Sequence, residues 1–420
     1  MKPCLQIEIL HYRGARMDLD INFVRNQFPA FSVNSLQNKA FFENAGGSYA
    51  CGQVIKRLNR FYNERKVQPY GAFEASISGG NEMDEAQVGL ARYLGVKVHE
   101  VSFGPSTSQN TYVLAQAFGE WLTPGDAIVV TNQDHEANTG SWRRLSNRGV
   151  QVREWQVNKD TGELNLEDLE NLLDGDVKLV CFPHCSNIVA HINPVKEIIA
   201  LVHSAGAYVC VDGVSYAPHG LPNVNDIGAD IYLFSSYKTY GPHQGIMVIK
   251  EVLAELLPNQ GHYFNERFLS NKFTPAGPDH AQIAACAGIV EYFDALASHH
   301  GIALPNAPSG VHSLFRNYEK KILQPLLDYV DTKNSIRLLG PSDASKRAPT
   351  VALDLGNNSF EVAKKLSELN VLAGGDDFYA VRLLEALGVD MDHGALRLSF
   401  VHYTTEEEVE AVIQALDEVL

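Results

Sequence analysis

Cysteine is scarce in this chain. Six in 420 residues are too few to hold a fold together with disulfides, and three of them lie in apolar runs where a free thiol behaves as a small hydrophobe. Cys181, His184 and Cys185 stand close together, but no second ligand pair at zinc spacing accompanies them, so they read as buried strand-end residues rather than a metal site. Long apolar runs are missing as well: none approaches the length of a membrane span. The first sixteen residues, with His11, Arg13 and Arg16, lack an apolar signal core and a cleavage site, which makes the cytoplasm the expected location. Positive charge is short too. A net charge of −16 at pH 7 argues against nucleic acid or an anionic membrane surface as the main partner, because either demands clustered Lys and Arg. Coiled-coil, collagen and low-complexity signatures do not occur. No Gly-x-Gly-x-x-Gly opens a helix after a strand, and the loop around Thr107 has no Walker lysine, which speaks against a nucleotide-binding domain.

What remains is an ordinary globular composition, 45% hydrophobic and 20% charged, long enough for one large core plus a second domain. Apolar runs at 101–103, 127–131, 151–155, 177–182, 208–211, 230–234 and 245–249 read as short buried strands. Between them lie helical stretches at 81–94, 111–121, 137–147, 166–173 and 195–204. Such alternation predicts an α/β fold with a mostly parallel sheet and right-handed crossovers. A composition break at 303–310 predicts a boundary, followed by a smaller α+β domain with helices at 311–329 and 359–370 and strands at 350–354 and 395–401. Thr405 and Glu408 form a capping box for a last helix with an apolar stripe of Val409, Val412, Ile413, Leu416 and Leu420. The expected layout is an extension over 1–16, a segment over 17–45 packing on the small domain, a large domain over 46–303 and a small one over 304–420.

In an open α/β sheet, ligands bind beyond the carboxyl ends of the strands. Asp212 ends one apolar run and Lys238 closely follows another, so both can face one pocket. An amine able to form a Schiff base and an acid partner for a pyridine nitrogen are what pyridoxal phosphate needs. Taken alone, such residues are usually a turn or helix cap and a solvated strand terminus. The Ser106-Thr107-Ser108-Gln109 turn before a helix can hold a phosphate on free N–H groups, or simply cap the helix. His135 and Asn187, each after a strand, are likewise caps or candidates. The stretch from Ala40 to Gly47 reads as a strand ending in a glycine turn that lets backbone approach something closely.

Together these pieces resemble the class V aminotransferase family of fold-type I pyridoxal phosphate enzymes, which includes cysteine desulfurases, selenocysteine lyases and isopenicillin N epimerase. The resemblance spans roughly 17–420. It rests on Cys185-Ser186-Asn187-Ile188-Val189 continuing to Ile192-Asn193-Pro194-Val195, on Val211-Asp212-Gly213 with Ala217-Pro218-His219-Gly220, and on Ser235-Ser236-Tyr237-Lys238-Thr239-Tyr240-Gly241-Pro242. It implies a large domain with a seven-stranded sheet and a small C-terminal domain. Among the residues, it implies Lys238 as the Schiff-base lysine, Asp212 as the pyridinium partner and His135 as the ring stacked on pyridoxal 5'-phosphate. Asn187 would bond the cofactor hydroxyl or the substrate, and Thr107, Ser108, the Gln109 N–H and Ser235 would take the phosphate. Arg397 would grip the carboxylate of a small amino-acid substrate. A homodimer with a shared site is also implied, residues 277–280 of one subunit lying near the phosphate of the other.

Two positions depart from the family pattern: Ser215 where glutamine is usual, and Tyr237 where histidine often precedes the lysine. Both are expected beside the cofactor with altered contacts. Desulfurases that form a persulfide carry a reactive cysteine in the C-terminal domain, whereas here none follows Cys286. The matching region, Val371 to Tyr379, offers carboxylates and aromatics, and the usual Arg-Thr-Gly lead-in is missing. The expectation is a desulfurase-like carbon–sulfur lyase without persulfide transfer. An aminotransferase or epimerase is the alternative, and a cofactor-binding protein without turnover stays open.

Overall fold

The computed structural model describes residues 18–420; the expected 1–16 extension lies outside them. The first strand, β1 (Ala40–Phe41), finds its partner far downstream. Seven strands follow: β2 (Val101–Gly104), β3 (Ala127–Thr131), β4 (Gln151–Trp155), β5 (Val177–Pro183), β6 (Tyr208–Asp212), β7 (Ile231–Ser235) and β8 (Gly245–Ile249). They form one sheet in the order β2-β8-β7-β6-β5-β3-β4. Only β8 runs against its neighbours. This is the expected α/β architecture.

Every residue of β3, β7 and β8 is buried, as a sheet covered on both faces requires. Alternate side chains serve different cores. Val209, Val211, Tyr232 and Phe234 pack with Leu90, Tyr93, Ile289 and Phe293 on one face, while Cys181, Cys210, Ile231 and Leu233 pack with Leu114, Phe118 and Trp142 on the other. Each such burial contributes roughly 1.5–3 kcal/mol.

Several helices depart from their sequence reading. The helix expected from Asn81 starts at Glu74. It runs through Gly79 and Gly80 because a Cβ on Gly80 would lie 2.6 Å from the Tyr70 ring, so tertiary packing overrides glycine's poor helix propensity. The stretch expected as one helix over 137–147 is broken into short turns around Gly140–Arg143. The composition break near 303 gives way to a helix from Ala307 to Asp331, with Pro308 in its first turn where no backbone donor is lost. That helix joins two cores: Val311, Leu314 and Phe315 pack beneath the large sheet, and Ile322, Leu326 and Val330 beneath a smaller one.

The smaller sheet contains β9 (Arg337–Leu339), β10 (Thr350–Asp354), β12 (Gly374–Asp376) and β13 (Ala395–Ser399), all antiparallel, in the order β12-β13-β10-β9. Strand β11 (Val371–Leu372) pairs instead with β1. Ala40 and Phe42 belong to the small-sheet core, whereas Leu19, Val24 and Phe28 pack in the large one; the 17–45 segment therefore touches both. The last helix keeps its capping box, although Leu420 is exposed. No helix among the described residues is long and apolar enough to cross a membrane.

Candidate active site

Strands β2, β3, β5, β6 and β7 run parallel, so their carboxyl ends meet at one edge of the sheet, and a cavity of about 270 Å³ opens there. From β2 comes the Ser106 turn. Ser106 caps the helix Thr107–Trp121 by accepting the Gln109 N–H at 3.2 Å. Only glycine fits at Gly245 behind it, since a Cβ there would lie 2.5 Å from the Ser106 carbonyl carbon. The Thr107 and Ser235 hydroxyls are 2.7 Å apart and buried, which joins the β2 turn to the end of β7. His135 follows β3, Asn187 follows β5, and Asp212 closes β6. Lys238 sits in the turn Ser236–Lys238 beyond β7. Thr107, Ser108, His135, Asn187, Asp212, Ser215, Ser235, Tyr237 and Lys238 all line this one cavity. Gln109 faces a neighbouring cleft instead.

Burial sets the charges. Asp212 Oδ1 accepts the Val214 N–H at 2.8 Å, yet desolvation outweighs that bond and the Lys238 charge, and raises the carboxyl to about 6. Desolvation also lowers Lys238 to about 8, with Arg397 adding to it and Asp212 and Glu43 opposing. His135 is pushed down to about 3 by burial, then by the Lys238 and Arg397 charges, so its ring is neutral. Its Nδ1 accepts the Ala137 N–H at 3.0 Å, which leaves the ring proton on Nε2. Tyr237 stacks on His243, the ring centroids 4.8 Å apart.

Arg397 does not line this cavity. It lies in β13, buried, and its Nη2 donates to Glu43 Oε1 at 2.6 Å. Its Cζ sits 3.7 Å above the Phe378 ring. Asn187 bridges the two groups of residues: its Nδ2 donates to the Phe378 carbonyl at 3.0 Å, and its own carbonyl accepts from Arg397 Nη1 at 3.5 Å. The 378–379 turn is held by a bond from the Glu136 N–H to the Tyr379 carbonyl at 2.8 Å. Phe378 and Tyr379 both have positive φ, 53° and 57°, and the Tyr379 ring leans toward His135 at 5.3 Å.

The sequence reading did not single out His243, Glu43 or Phe378 as site residues. His243 stood within a few residues of Lys238, and its proximity was a usable signal. Glu43 lay inside a glycine-turn motif with nothing to show that Arg397 faces it. Cys185 also lines the cavity, but burial drives its thiol up to about 12, so it is no nucleophile. His184 stacks on Tyr216 at 3.6 Å and bonds the Tyr232 hydroxyl through Nδ1 at 3.0 Å.

A mostly parallel seven-stranded sheet with a lysine and an aspartate at adjacent strand ends defines a fold-type I enzyme. The chain belongs to the class V aminotransferase family, whose model matches residues 40–412. It is 32% identical over 414 residues to the aminotransferase-like protein FGM3 of Gibberella zeae, covering 95% of this chain and 98% of that one. Identity to a cysteine desulfurase of Serratia proteamaculans is 26% over 423 residues, covering 96% and 99%. The apo cysteine desulfurase of Thermococcus onnurineus superposes with a TM-score of 0.83 at 22% identity, over 96% of this chain and 99% of that one. A C-DES variant with glycine covalently linked to its PLP cofactor superposes with a TM-score of 0.75 at 16% identity, over 94% and 99%. The comparisons thus indicate an enzyme of the class V aminotransferase family.

Proposed function

We propose that the protein binds pyridoxal phosphate on Lys238 and acts on a small amino acid as a desulfurase-like carbon–sulfur lyase. The observation that carries this reading is one cavity holding a buried amine, a buried carboxyl, a neutral histidine and a cluster of hydroxyls. The residues fit the group. Lys238 would form the Schiff base, Asp212 would pair with the ring nitrogen, and Thr107, Ser108 and Ser235 would take the phosphate. His135 would lie against the ring, with Ser215 and Tyr237 beside it. Asn187 Oδ1, buried and without a partner, is free to accept from a cofactor or substrate hydroxyl. When bound, pyridoxal phosphate supplies an electron sink that eases removal of the Cα proton.

The chain's own groups supply the rest. Lys238, held to about 8, is uncharged in a useful fraction of molecules near neutrality and takes up a proton once its nitrogen is free. Asp212, raised to about 6, is ionised at neutral pH yet basic enough to hold a proton on a facing nitrogen. His135 presents a neutral Nε2–H. Arg397 would orient the substrate carboxylate. Cysteines are absent beyond Cys286, and the five described ones are buried. The sulfur therefore leaves as sulfide or a small thiol rather than passing to any of the described cysteines.

The aminotransferase-like relative at 32% identity favours a second reading, amino transfer to a keto acid, which the same residues support. A homodimer in the cytoplasm completes the proposal. Tyr70 and Phe264 are exposed and line one cleft with Gly277, Pro278 and His280, a surface suited to a second copy. Sedimentation of the purified protein as a monomer would remove that part.

The test is the visible spectrum of wild type and Lys238→Ala after adding pyridoxal phosphate, then L-cysteine. A borohydride-sensitive band in wild type alone supports Lys238 as the attachment point. Sulfide and pyruvate release supports the lyase, and keto-acid-dependent amino transfer without sulfide replaces it with the second reading.

A further inference from the structure

Arg397 meets the site with its guanidinium already engaged. Glu43 Oε1 accepts from Nη2 at 2.6 Å, and Phe378 covers the guanidinium from one side. Around this contact three buried polar atoms have no hydrogen-bond partner: Arg397 Nε, Glu43 Oε2 and Asn187 Oδ1. An ion pair built only for stability leaves few such atoms, because each unpaired one carries its full desolvation cost. The contact is incomplete as it stands. The backbone also makes room for the carboxylate. A Cβ on Gly46 would lie 2.7 Å from Glu43 Oε1, and one on Gly374 would lie 3.0 Å from Oε2.

A guanidinium grips a carboxylate with paired N–H groups along one of two edges, Nε with Nη2 or Nη1 with Nη2. Nη2 belongs to both. An anion beside Nη2 therefore competes at either edge. We propose that Glu43 is a specificity-determining residue, an internal carboxylate that holds Arg397 until a substrate carboxylate displaces it. The inference rests on reading Arg397 as the carboxylate site. It means that a ligand offering only a carboxylate binds poorly, and that a substrate must add contacts elsewhere in the cavity to win Arg397 from a tethered competitor.

The experiment is calorimetric titration of the holoenzyme with 3-mercaptopropionate, which carries a carboxylate and a thiol but no amine to react. Glu43→Gln keeps the size and removes the competing charge, and affinity is expected to tighten about tenfold, equivalent to 1.4 kcal/mol. The KM for the amino-acid substrate should fall with it while kcat changes much less. Arg397→Gln should abolish the binding in either background. Unchanged or weaker binding in Glu43→Gln, with Arg397→Gln still abolishing it, overturns the proposal and leaves Glu43 as a mere support for Arg397. Probe affinity insensitive to Arg397→Gln overturns the carboxylate reading itself. Should Glu43→Gln fold poorly, Glu43→Asp, with its shorter reach, serves: modest tightening supports the competition and loss of affinity refutes it.

Discussion

Asp212 and Arg397 are both buried charged residues of the site, 6% and 3% exposed, but they are held in different ways. Asp212 needs only its own strand end and the Val214 N–H two residues on. Arg397 stands in mid-strand and depends on Glu43, 354 positions upstream, and on Phe378 from a turn beyond β12. The same contrast separates the two sides of the site. Thr107, His135, Asn187, Asp212 and Lys238 follow parallel strands of one sheet, so topology alone brings them together. Glu43, Phe378 and Arg397 come together only through packing between separate segments. On this reading the large sheet supplies cofactor chemistry common to many substrates, and the small-sheet side chooses among them.

The strongest challenge to that division is Asp212→Asn. Turnover should fall by about 10²-fold or more for every substrate alike; a loss confined to carboxylate-bearing substrates would break the comparison. The same variant tests the burial argument without any turnover. The folded carboxyl lies at about 6 against an ordinary 3.8. Between those values the native protein binds more protons than the unfolded chain, so stability falls as pH rises and the penalty is complete above about 6. Asparagine removes it. In urea titrations the apoprotein should gain about 1–3 kcal/mol at pH 7 and little near pH 4, whereas a destabilised variant at pH 7 would refute the assignment.

Phe378→Ala probes the other side with a smaller effect. Losing the aromatic face over Arg397 should raise KM for carboxylate substrates between about 2- and 30-fold. Reaction of an amine without a carboxylate, such as cysteamine, should be spared; equal loss for both would mean that Phe378 shapes the whole cavity. The smallest effect is expected at Tyr379, 71% exposed with φ of 57°. Tyr379→Gly should stabilise the protein by about 1 kcal/mol in chemical denaturation through relief of the left-handed backbone. A destabilised variant would show instead that the ring against His135 matters more than the strain.

Local signals made one side of the site legible. The strands of the large sheet appear as short apolar runs because both faces are buried, and the candidates stand at or shortly past the end of each run. Where neighbours distant in sequence decide the outcome, that signal fails. The helix expected from Asn81 extends back through Gly79 and Gly80, against which Phe61 and Tyr70 pack. The composition break at 303–310 reads as a domain boundary, and local sequence does not show that a helix begins inside it at Ala307 with Ala307 and Val311 buried in the core.

The sequence by itself determined the alternation of strands and helices, and with it the parallel sheet and the edge where Lys238 and Asp212 meet. Those features follow from hydrophobic periodicity and chain direction, which are written in neighbouring residues. Only the tertiary structure decided that Glu43 occupies Arg397, that Phe378 covers it, and that Asn187 links both to the cavity. A buried charge accepts whichever partner packing brings within reach, and nothing in a local stretch of sequence specifies which one that is.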